Sequence, residues 1–104
     1  MLHRIEKINE LLKQQLSLLV FQDFPNEIIS INFVYTNKDL SESKIYVNVY
    51  SGHQSVYDEL KYLSGKFRKE LAGKLFIRKI PKLQFIKDEK QGSIDRIEEI
   101  LEKK

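Results

Sequence analysis

Eight cations crowd one stretch of this chain. Residues 61–85 carry Lys61, Lys66, Arg68, Lys69, Lys74, Arg78, Lys79 and Lys82 against a single acid, Glu70. The chain as a whole has 18 basic and 15 acidic residues, so everything outside this stretch is net acidic. Clustered lysine and arginine neutralise phosphate, and phosphate neutralisation supplies most of the sequence-independent affinity of proteins for nucleic acid. The bland alternative is a solvated helix face. Three features weigh against it. The charge is segregated in an otherwise acidic chain. It adjoins Ser64-Gly65, an interruption where backbone N–H groups can be presented to a phosphate. It also straddles an element boundary, so charges from a helix and from a strand lead-in can converge.

Other chemistry finds little support. His3 and His53 are the only histidines, and neither has a partner at metal-ligand or Ser/His/Asp spacing. There is no cysteine, hence no thiol nucleophile and no Cys-based zinc site. The carboxylates are scattered, and Asp88-Glu89 marks a strand end rather than an acid/base pair. No GxxxxGK[ST] or GxGxxG run offers a nucleotide cradle. The expectation is a binding protein, not an enzyme, with no catalytic residue, metal, cofactor or small-molecule substrate. A length of 104 residues fits one domain. Charges at Arg4, Glu6, Lys7 and Glu10 break up any signal-peptide core. No apolar run approaches the roughly 18 residues of a membrane span. A cytoplasmic location without membrane contact is the default.

The elements that would position the cations are readable from periodicity. Leu2, Ile5, Ile8, Leu12, Leu16 and Leu19 recur at helical spacing over residues 2–20, and Asp23, Pro25 and Asn26 form the turn that ends this helix. Residues 28–36 alternate as a strand, with Ile29, Ile31, Phe33 and Tyr35 on one face and Ser30 and Asn32 on the other. After a polar hairpin connection, residues 44–50 form a second strand with Ile45, Val47 and Val49 facing the core. Residues 54–63 read as a helix buried through Val56, Tyr57, Leu60 and Leu63. A bend at Ser64-Gly65 follows, because glycine within a helix costs about 1 kcal/mol relative to alanine. The helix resumes at Lys66, buries Phe67 and Leu71, and is capped by Gly73. Residues 83–87 form the last strand, with Leu83 and Phe85 sharing a face. Ser93 starts a closing helix with Ile94, Ile97, Ile100 and Leu101 as its stripe. The order α-β-β-α-(bend)-α-β-α predicts an α+β domain, a three-stranded sheet covered by helices on one face. The core spans about residues 2–88, and residues 89–104 form a loosely attached helix.

A helix-bend-helix beside a three-stranded sheet resembles KH domains, which clamp nucleic-acid backbone with a GxxG loop between two helices. That loop is absent here, since Gly65 and Gly73 are too far apart. Five pieces in order resemble the ribosome-binding factor A family of small-subunit assembly factors. They are the opening run from Arg4 to Leu12, Asp39-Leu40 with the following strand from Lys44 to Val49, and Leu63-Ser64-Gly65 at the family's Ala-x-Gly bend. Next come Arg78-Lys79-Ile80-Pro81-Lys82-Leu83-Gln84-Phe85, which is similar to an R-x-x-P-x-L-x-F run, and the segment from Arg96 to Leu101. Leu63 stands where the family carries alanine. The resemblance implies a type II KH-like fold. It also implies binding to small-subunit ribosomal RNA near the decoding region and the 5′-end helix, during late maturation of the free subunit and cold adaptation. By the same resemblance Ser64, Gly65, Lys66, Arg68, Lys69 and Arg78 touch RNA, and Lys74, Lys79 and Lys82 extend the patch. The partners implied are the small ribosomal subunit and its RNA, met by a monomer. The competing expectation is a protein–protein adaptor that uses the open sheet face through Tyr46 and Tyr50.

Overall fold

Apolar residues three and four apart fold the start of the chain into α1 (Arg4–Asp23), which buries Ile8, Leu12, Leu16, Leu19 and Val20. These coordinates, a computed structural model, describe residues 4–89. Leu2, His3 and the closing helix expected from Ser93 lie outside the described residues. The helix runs on through Asp23, three residues past the expected end, and Phe24 N–H then bonds to the Val20 carbonyl at 2.9 Å.

Two strands follow, β1 (Ile29–Thr36) and β2 (Glu42–Val49), paired antiparallel. The expected facing of β1 holds only for its first half. Ile31 pairs with Val47 but Phe33 pairs with Tyr46, so Asn32 is an extra residue, a β-bulge. One inserted residue reverses the two-residue alternation beyond it. Val34 and Thr36 therefore face the core, while Phe33 and Tyr35 turn to the other side, half-buried. The inward Thr36 is 2 % exposed and is satisfied by bonding to Asn9 and Ser43. On the outer face Tyr46 is only 6 % exposed and packs against the Phe33 ring. Of the two tyrosines expected to be open, only Tyr50 is.

α2 (Gln54–Tyr62) and α3 (Ser64–Lys74) then carry the chain to β3 (Lys82–Lys87), which joins β2 in parallel to give the order β1-β2-β3. A parallel pair needs such a crossover. α1 packs on β1, while α2 and α3 pack on β3. The core between them is built from Leu12, Leu16, Leu60, Phe67 and Leu71 of the helices and from Ile45, Val47 and Phe85 of the sheet. This is the α+β, type II KH-like arrangement. Gly73 does not cap α3: the helix continues through Lys74, and the extended residue that ends it is Leu75.

Candidate nucleic-acid interface

The break between α2 and α3 sits at Leu63, one residue before the Ser64-Gly65 pair that signals it. Leu63 leaves helical geometry at φ −85°, ψ 0°. Its N–H still bonds to the Glu59 carbonyl, and its own carbonyl accepts from Phe67 N–H at 3.0 Å. A backbone N–H at this cap also bonds to the Lys61 carbonyl. The first-turn N–H groups of α3, on Ser64, Gly65 and Lys66, have no acceptor within α3 itself, and no side chain caps them. Such an end carries partial positive charge and suits an anion. A Cβ built on Gly65 meets nothing within 4 Å, so the fold itself does not require glycine there. What the missing side chain leaves is room for another molecule to approach these N–H groups.

A groove of about 800 Å³ runs from this open end along α3 and the segment before β3. It is lined by Gly65, Lys66, Arg68, Lys69, Ala72 and residues 77–80. One bond fixes that closeness: Arg68 Nε donates to the Ile80 carbonyl at 3.0 Å, tying α3 to the strand lead-in. Ile80 and Pro81 are buried beneath it. The groove thus brings together Gly65, Lys66, Arg68, Lys69, Arg78 and Lys79 of the nine residues singled out in the sequence. Ser64 turns to a second hollow with Lys61 and residues 83–87. Lys74 and Lys82 are exposed but line neither.

The cations are not equivalent. Lys66 Nζ lies 2.8 Å from Asp23 Oδ2 at the end of α1 and 4.0 Å from Glu70. The hydrogen bond to Asp23 pushes the Lys66 pKa up, so Lys66 is charged and paired at neutral pH and its contribution is lost as pH rises past the lysine range. Among the described residues Lys69, Arg78 and Lys79 have no carboxylate within ion-pair distance. Lys79 does lie near Asp39, whose carboxyl is held below the usual range chiefly by the Ser41 hydroxyl and backbone N–H and only weakly by Lys79. The Asp23 partner was invisible in the sequence because 43 residues separate it from Lys66. It also makes a prediction. Asp23→Asn releases Lys66 and removes a negative charge from the groove rim, so RNA binding should tighten by about two- to fivefold at low salt. Fluorescence anisotropy at several salt concentrations measures this, and the slope against salt should steepen. Among the described residues no group of His, Asp or Glu could hold a metal ion.

The family model of ribosome-binding factor A matches residues 4–101. The chain belongs to the ribosome-binding factor A family. Ribosome-binding factor A of Chlorobium phaeobacteroides is 33% identical over 105 residues, covering 94% of this chain and 90% of that protein. The protein of Ruthia magnifica is also 33% identical, over 97% of this chain and 94% of its own length. The crystal structure of ribosome-binding factor A from Thermus thermophilus superposes with a TM-score of 0.72 at 19% identity, covering 82% of this chain and 97% of that one. A homology model of the Thermus factor, fitted into a cryo-EM map of a 30S complex, gives a TM-score of 0.62 at 20% identity, over 78% of this chain and 96% of that one. At these identities the structural matches speak to the fold.

Proposed function

We propose that this protein binds the small ribosomal subunit through its ribosomal RNA and assists late maturation of the free subunit. It acts near the decoding region and the 5′-end helix and leaves when the particle matures. The observation that carries the reading is the groove itself: cations from α3 and from the β3 lead-in share one open hollow that begins at Gly65, in the first turn of α3. Polyanionic RNA backbone is the ligand such a hollow fits. Family membership supports the ribosome as the source of that RNA, as does the fitting of a Thermus relative into a 30S complex. The protein works as a cytoplasmic monomer, by binding and not by bond chemistry, and its role includes adaptation to cold. No described helix is long and apolar enough to cross a membrane.

The test is sucrose-gradient fractionation of cells carrying a tagged full-length chain, followed by crosslink mapping on the fractions that hold it. Accumulation with free small subunits and depletion from translating ribosomes is expected, with crosslinks in RNA near the decoding region. An even spread over all ribosomal fractions, or none in any, would refute the reading.

A further inference from the structure

One side chain beside the groove is left unexplained by charge. Phe76 is fully exposed, at 107 % relative exposure, the most open large apolar residue among those described. Its neighbours are not: Leu75 and Ile77 are partly buried and pack against the core. Leu75 is extended, at φ −106° and ψ 139°, and inward and outward residues alternate from Leu75 to Arg78. Phe76 and Arg78 are both exposed, and the chain bends at Arg78. Ile77, Arg78 and Lys79 line the cationic groove. Phe76 does not itself line the groove, but it is held next to the groove's wall in the chain, between two residues that pack on the core.

A phenyl ring held in water among cations gains nothing within the folded chain. It has only two side-chain torsions to order, so it can engage a partner at small entropic cost. The cations beside it select a polyanion, and an aromatic face beside a phosphate-binding groove is the arrangement that holds unpaired bases. We propose that Phe76 stacks on an unpaired base of an RNA whose phosphates occupy the groove. This rests on the RNA-binding reading above and adds that the RNA is single-stranded where it meets the end of α3. A paired duplex buries its base faces and offers the ring nothing to stack on.

The full chain and its Phe76→Ala, Phe76→Trp and Tyr50→Ala variants are titrated with a short single-stranded RNA and with a blunt RNA duplex of equal length. Tyr50 is the control, an aromatic 83% exposed that lies outside the groove. Phe76→Ala should weaken single-strand binding about 5- to 100-fold while leaving duplex binding and the salt slope unchanged. Phe76→Trp should restore it, with indole fluorescence quenched on binding, and Tyr50→Ala should have no effect. Equal single-strand affinity of Phe76→Ala and the parent chain overturns the stacking role and leaves the RNA reading standing. So does an equal loss in Tyr50→Ala, or loss of a protein partner from Phe76→Ala with RNA affinity intact. If the parent chain binds neither RNA nor small subunits, both fall together.

Discussion

Reversing the charge of Lys69 and Arg78 together should weaken binding to small-subunit RNA by about 100-fold or more, since charge-assisted hydrogen bonds contribute about 1.5–3 kcal/mol each. The pair is chosen by geometry. Both line the groove, one from α3 and one from the β3 lead-in, and among the described residues neither has a carboxylate partner. Lys66→Glu is a poorer test, although the sequence alone makes it attractive. It would set a third carboxylate beside Asp23 and Glu70 and disturb the helix junction as well as the ligand. Arg68→Glu is poorer still, because Arg68 is spent on the Ile80 carbonyl. Two lost phosphate contacts should also lower the slope of log K against log salt by about 1.5–2. Isothermal titration at several salt concentrations with purified small subunits measures both quantities. Unchanged thermal unfolding would show that the loss is at the interface. A slope that stays where it was would move the phosphate contacts elsewhere on the molecule.

The comparison of Lys66 with Lys69 shows what could be read in advance. The elements were legible wherever one period dominated: α1 through its spaced leucines and isoleucines, β2 through Ile45, Val47 and Val49, β3 through Leu83 and Phe85. The second half of β1 was not, because Phe33-Val34-Tyr35 is apolar in either phase. Only the unpaired Asn32 sets the phase, and nothing local announces a bulge. The helix junction was legible to within a residue. Glycine drew attention to position 65, yet the chain leaves helical geometry at Leu63. Charge clustering along the chain found the groove's cations but could not rank them. Their ranking depends on Asp23 and Ile80, distant partners supplied by the fold. Phe76 carried no signal in the sequence, where it reads as one more apolar residue between Leu75 and Ile77. Its exposure follows from the direction in which the chain leaves α3.

One buried ring of α3 packs directly on a ring of β3. Phe67→Ala should destabilise the domain by about 3–5 kcal/mol, the usual cost of deleting a buried phenyl group and leaving a cavity. Phe67 is 0 % exposed and meets the Phe85 ring edge-on, with centroids 6.0 Å apart and planes at 67°. Phe85 belongs to β3, so this contact joins α3 to the sheet just where Lys66 and Arg68 flank the buried position. A domain of this size has about 5–15 kcal/mol of stability, so the loss takes a large share of it. The melting temperature should fall by about 15 °C or more. Phe67→Leu, which fills much of the space without the edge-on contact, should cost about 1–2 kcal/mol. Urea unfolding at constant m-value separates the two variants. If the folded fraction of Phe67→Ala still bound RNA at the parent's strength, the groove would not depend on α3 lying against β3. A joint loss of binding and of α3 amide protection would tie the groove's geometry to that contact.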